Sequence, residues 1–170
     1  MATFDNALRT YLPAKARPSQ IRHILEVIDR SFAGKETNLA PVLHDIAERI
    51  PRRGLVIILS DLFDNAEEVL KALHHFRFRR HEVILFHVMA EEEGNFPFEN
   101  FTMFKDLESD AQIPASPKTI RAEYLDRMRT FLTTLSKGCG NIDVDYVPVN
   151  TRIPFEKMLT DYLVRRRTRN

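Results

Sequence analysis

Two short runs, Leu55-Val56-Ile57-Ile58-Leu59 and Val83-Ile84-Leu85-Phe86, are apolar at every position. A half-buried strand alternates between apolar and polar residues. An unbroken aliphatic run therefore describes a strand covered on both faces, as in the middle of a parallel sheet. Between the runs, Val69, Leu70, Leu73 and Phe76 recur at helical spacing. Strand, helix and strand in this order form a βαβ unit: the helix carries the chain back, the strands run parallel, and the crossover is right-handed. This feature commits the chain to an α/β sheet.

The rest of the chain reads around that unit. Ala2 to Asp5 and Leu8 to Leu12 suggest a starting hairpin, because Asp5 and Asn6 tolerate the left-handed backbone of a tight turn. Pro18 or Ser19 opens a helix whose inward stripe is Ile21, Ile24, Leu25, Ile28 and Phe32, with Gly34 closing it. Asn38 caps a second helix with Leu39, Val42, Leu43, Ile46, Ala47 and Ile50 on one face. Residues 91–117 read as irregular, apart from a short strand at Thr102 to Leu107. Ser116 or Pro117 begins a helix with Ile120, Tyr124, Met128, Phe131, Leu132 and Leu135 inward, ended by Gly138 and Gly140. Ile142 to Val149 is a third strand, and Pro154 starts a last helix with Phe155, Met158, Leu159, Tyr162 and Leu163 inward. The expected fold class is α/β, a doubly wound, mostly parallel sheet with helices on both faces, and residues 1–170 form a single domain.

Composition narrows the function classes. Lys plus Arg is 25 against 24 Asp plus Glu, a net charge of +1, which gives no general attraction to nucleic acid or an anionic membrane. The basic runs Arg77-Phe78-Arg79-Arg80 and Arg165 to Arg169 read as solvated helix ends. The single cysteine, Cys139, excludes an internal disulfide and a multi-cysteine zinc site, and it lacks the flanking His of a nucleophile. No apolar run reaches the roughly 20 residues of a membrane helix, and no signal peptide is visible. The expected location is the cytoplasm.

In an open α/β sheet, function lies beyond the carboxyl ends of the strands. That points to Ser60-Asp61-Leu62-Phe63-Asp64, to His87 with the loop after it, and to Pro148 through Thr151. Asp61 or Asp64 at such a place either holds a hard cation such as Mg²⁺ or caps the following helix, and the cap is the commoner role. Thr37, in a polar loop before a helix, has the same two readings. His74, His75, His81 and His87 lack zinc-site spacing and read as surface and strand-end histidines. Gly-x-Ser-x-Gly, Gly-x-x-x-x-Gly-Lys and Gly-x-Gly-x-x-Gly patterns are absent, so neither hydrolase nor nucleotide-loop chemistry has support. Phe96, Phe98 and Phe101 crowd one loop, and we expect them to tuck back onto the domain.

Several segments in order carry a resemblance. They are Arg52-Arg53-Gly54 through Asp64, His81-Glu82-Val83 through Val88, Phe96-Pro97-Phe98, Phe104 through Glu108, Ile120 through Tyr124, Asp145-Tyr146 to Thr151, and Tyr162 through Arg165. Together they resemble the bacterial family catalogued as domain of unknown function 58, of which the chain would be the C-terminal part only. That part of the family is similar to a von Willebrand factor A domain. The resemblance implies a metal-ion-dependent adhesion site, in which Thr37 matches the threonine ligand and Asp61 the aspartate after the fourth strand. The Asp-x-Ser-x-Ser loop of that site is absent here. The resemblance therefore implies a domain lacking its N-terminal strand, a degenerate metal site with weak Mg²⁺ binding at most, and sheet edges open to strand exchange between copies.

The function that follows is a non-catalytic protein–protein interaction module. The family context implies a protein partner, a MoxR-type AAA+ ATPase, in complex assembly. The alternative is a Mg²⁺-dependent hydrolase or phosphoryl-transfer enzyme using Asp61 and Asp64.

Overall fold

The computed structural model describes residues 1–31, 38–105 and 112–169. In chain order its elements are β1 (Ala2–Phe4), β2 (Leu8–Tyr11), α1 (Ser19–Arg30), α2 (Leu39–Arg49), β3 (Leu55–Ser60), α3 (Ala66–Phe78), β4 (Glu82–Met89), α4 (Glu91–Asn95), β5 (Thr102–Lys105), β6 (Gln112–Ala115), α5 (Pro117–Asn141), β7 (Asp145–Asn150) and α6 (Phe155–Arg169). The chain is a mixed α/β protein whose main sheet is parallel, in the order β3-β4-β7. Ile57 lies opposite Ile84, and Leu85 opposite Tyr146.

Strand pleating sends alternate side chains to opposite faces. Val56, Ile58, Val83 and Leu85 face one way and join the main core, with Val42, Leu43 and Ile46 from α2, Val69, Leu73 and Phe76 from α3, and Leu135 and Cys139 from α5. Ile84, Phe86 and Val147 face the other way and meet Tyr162 and Met158 of α6. Helices thus cover both faces. The hairpin β1–β2 pairs only with itself among the described residues, and Ala2, Phe4 and Leu8 rest on the rim of the main core.

The structure corrects several expectations. Among the described residues the run at β3 belongs to an edge strand, not a central one: Leu55, Ile57 and Leu59 are 51%, 50% and 67% exposed. The helical period in α1 is present, but its stripe does not face inward. Ile21, Leu25 and Ile28 are exposed, and α1 buries no residue. On α6 Tyr162 is buried, while Phe155, Leu159 and Leu163 stay exposed. Phe32 and Gly34 lie outside the described residues.

Gly138 and Gly140 do not end α5, which runs on to Asn141. A Cβ on Gly138 would stand 2.3 Å from Leu70 Cδ1, so this glycine lets α5 approach α3 closely. The chain reverses at Asp143, in the left-handed region at φ 57°. The segment read as irregular holds the short helix α4 and the strand pair β5–β6. Phe96 is buried against Phe98, Phe104 and Tyr124, with ring centroids 5.2, 5.8 and 4.6 Å away. The loop does tuck back, except for Phe101, which is exposed. Arg77 donates to the carbonyls of His81 and Ile142 and pairs with Asp143, so it is tied to the fold rather than free in solvent.

Candidate functional site: the loop after the edge strand

β3 ends at Ser60, whose Oγ accepts a hydrogen bond from the Leu62 N–H at 3.0 Å. That bond turns the chain sharply. Leu62 takes up φ 55°, the left-handed region that a branched side chain seldom adopts. Complete burial of its side chain holds it there. With Leu62 driven into the core, its neighbours turn outward. Asp61 is exposed and Phe63 is 82% exposed, a large apolar ring presented beside a carboxylate.

Asp64 anchors the far side of the loop. Its Oδ2 accepts from the N–H groups of Leu39 and Ala40 at 2.8 and 3.3 Å, and its Oδ1 accepts from Asn65 N–H at 2.6 Å. It therefore caps the N-terminus of α2, where the sequence suggests Asn38. Asn38 makes no side-chain cap, and α3 is capped by Asn65, which accepts from Glu67 and Glu68. A carboxylate at a helix N-terminus also opposes the positive end of the helix dipole.

His87 supports the loop from below. It is 1% exposed, so the expectation of a strand-end surface histidine is corrected, as it is for His81. The ring Nε2 lies 2.9 Å from the Asp61 carbonyl oxygen and Nδ1 lies 2.7 Å from the Tyr146 hydroxyl. A carbonyl can only accept. Nε2 must then carry the proton, and Nδ1 accepts from Tyr146. Burial holds the His87 pKa below its ordinary value, against a weaker opposing pull from the Asp61 carbonyl and charge. Burial also pushes the Tyr146 phenol up to about 12. The result is a neutral Tyr146–His87–Asp61 chain that fixes the backbone under an exposed side chain.

Nearby, α4 adds Glu91, Glu92 and Glu93. Burial raises the Glu93 carboxyl pKa, with a smaller contribution from the Asp61 charge. Arg152, after β7, reaches Glu91 at 3.1 Å and Glu92 at 3.8 Å. The carboxyl end of the sheet is thus an acidic rim with one projecting phenylalanine.

Of the residues singled out from sequence, Asp61 is displayed, Asp64 is engaged with two helix termini, and Thr37 lies outside the described residues. No three His, Cys, Asp or Glu side chains come together in a way that would hold a metal ion among the described residues. The donors at this loop are Asp61 and a Ser60 hydroxyl already engaged with the loop, and by themselves they do not fit a Mg²⁺ site. His87, Tyr146, Leu62 and Phe63 were not singled out as a unit. Their signal was weak but present: His87 and Tyr146 are polar residues inside apolar strand runs.

Cys139 is fully buried, and burial pushes its thiol up to about 12, which keeps it protonated. Two surface depressions of about 350 and 340 Å³ lie along α5, and neither is lined by Asp61. No helix among the described residues is long and apolar enough to cross a membrane.

No curated protein and no solved structure matches the chain. The family described as Protein of unknown function DUF58 matches residues 1–131 of the 170, and the chain belongs to that family.

Proposed function

We propose that the protein is a non-catalytic interaction module that engages a protein partner through the loop after β3. The observation that carries this reading is the opposed orientation within Ser60–Asp64. Leu62 is buried in a left-handed conformation, while Asp61 and Phe63 are thrust into solvent. A strained, well-anchored backbone presenting an apolar ring and a carboxylate suits recognition, because the backbone that carries both groups is fixed before binding. Aromatic residues of this kind anchor interfaces. The family resemblance supplies the partner class, a MoxR-type AAA+ ATPase in an assembly complex.

The alternative of a Mg²⁺-dependent hydrolase on Asp61 and Asp64 draws less support. The Asp64 carboxylate already accepts three N–H groups, and a base or nucleophile beside it is not evident among the described residues. The test is capture of a purified MoxR-type AAA+ ATPase on immobilised protein, with Phe63→Ala and Asp61→Ala as variants. Each should weaken capture at least ten-fold with unchanged circular dichroism. Undiminished capture by both variants, or Mg²⁺-dependent turnover lost in Asp61→Ala, would overturn the reading.

A further inference from the structure

α2 and α3 pack side by side, and their buried faces close the main core. His44 and His75 stand at the seam between them, half-buried and outside that core. Their Nδ1 atoms are 3.0 Å apart and their ring centroids 5.2 Å apart. Two residues 31 positions apart in sequence thus point the same ring nitrogen at each other.

A neutral imidazole has one N–H and one bare nitrogen. At this distance one ring donates from Nδ1 and the other accepts, so the pair shares a single proton. Both rings are open to water on one side. The proton of the donating ring can therefore move to its own Nε2 through water. Both Nδ1 lone pairs are then bare, close together and reachable from solvent.

Two bare imidazole nitrogens chelate a late first-row divalent ion. Metal–nitrogen bonds of about 2.0–2.1 Å, with the nitrogens 3.0 Å apart, set an N–metal–N angle of about 95°. That is near the right angle of a tetragonal site. A tetrahedral ion such as Zn²⁺ needs the nitrogens to part to about 3.4 Å. The ion lies to the solvent side of the line between the nitrogens. Each ring meets it by turning about Cβ–Cγ, a soft torsion in histidine. Water fills the other positions, since no third protein ligand joins the pair among the described residues. Two neighbouring cations of α3 are already engaged: Lys71 donates to Glu68, and Arg79 to the Ile50 carbonyl. On α2, the exposed Glu48 stands one turn beyond His44 and adds negative charge to the same flank.

We propose that His44 and His75 form a two-histidine site for Cu²⁺ or Ni²⁺ that staples α2 to α3. An ion held by both helices binds the folded chain, so it stabilises the fold by mass action. The site uses neither Asp61 nor Phe63, and it stands apart from the loop reading above.

The test is calorimetric titration of the whole chain with CuCl₂, NiCl₂ and ZnCl₂ in a non-coordinating buffer. One Cu²⁺ should bind per chain and raise the thermal midpoint, and Ni²⁺ should bind more tightly than Zn²⁺. Electron paramagnetic resonance of the Cu²⁺ form should show a tetragonal centre coupled to two nitrogens. His44→Ala and His75→Ala should each weaken Cu²⁺ binding at least ten-fold and abolish the rise in midpoint. Both positions are half-buried on helix surfaces, and circular dichroism checks that the variants fold. His23→Ala and His74→Ala, at exposed histidines outside the pair, should change neither readout. Undiminished binding in either pair variant would overturn the proposal, as would a centre coupled to one nitrogen. Zn²⁺ binding tighter than Ni²⁺ would overturn the tetragonal geometry, and a chain that takes up none of the three ions would overturn the site itself.

Discussion

β3 reads Leu-Val-Ile-Ile-Leu-Ser and β4 reads Glu-Val-Ile-Leu-Phe-His-Val-Met, and by composition either could be the middle of a sheet. β4 is buried from Val83 through His87, with a strand on each side and helices over both faces. Among the described residues, β3 has a strand on one side and cover on one face. Val56 and Ile58 enter the main core, while Leu55, Ile57 and Leu59 stay half exposed or more. The difference teaches that apolarity at every position marks what a strand can bury, not what the fold gives it to bury against. It also divides the molecule: stability resides around β4, and the candidate functional loop follows β3.

The largest effect should come from truncating the central strand. Leu85→Ala, at a fully buried position, should lower unfolding stability by about 3 kcal/mol. Urea denaturation checks this, and a loss below about 1 kcal/mol would break the contrast between the two strands. Next comes the joint between β3 and the helices. Asp64→Ala removes the acceptor at the N-terminus of α2 and should lower stability by about 1–2 kcal/mol. Asp64→Asn should recover part of that.

Gly138→Ala should lower stability by about 1 kcal/mol, although alanine is the better helix former, because the new methyl meets Leu70. In a Leu70→Ala background the same change should become neutral or stabilising, which separates the clash from helix propensity.

Protonation sharpens the comparison further. His81 and His87 are buried, and burial lowers the pKa of both from an ordinary value of 6.5. Above that value both folded and unfolded chains are neutral at these positions, and no stability is lost. As pH falls below it, the unfolded chain gains protons that the folded chain resists, so stability declines. Denaturant midpoints measured from about pH 7 down to about pH 5 should fall, and His87→Gln should flatten the slope. The smallest effect belongs to β3. Ile57→Ala, at a half-exposed position, should change stability by less than about 1 kcal/mol. Asp61→Ala should be nearly neutral by the same measurement.

Much of the architecture was legible locally. The βαβ unit, the starting hairpin at Asp5-Asn6, and the core faces of α2 and α3 all follow from turn chemistry and period. The helical period of α1 was equally legible, but not that Ile21, Leu25 and Ile28 would stay exposed. At the candidate site, Asp61 and the end of β3 could be read from the strand pattern. The partner of Asp64 could not, since it caps a helix 25 residues back in sequence. Nor could the pairing of His87 with Tyr146, 59 residues apart.

The sequence by itself determined which segments are strands and helices and that the main sheet is parallel, because period and turn residues act over a few positions. The tertiary structure alone decided that, among the described residues, β4 is central and β3 an edge, that Gly138 is a contact rather than a stop, and that His87 carries its proton on Nε2. Each of those depends on which distant group stands opposite, and burial, steric contact and hydrogen bonding are set by neighbours in space.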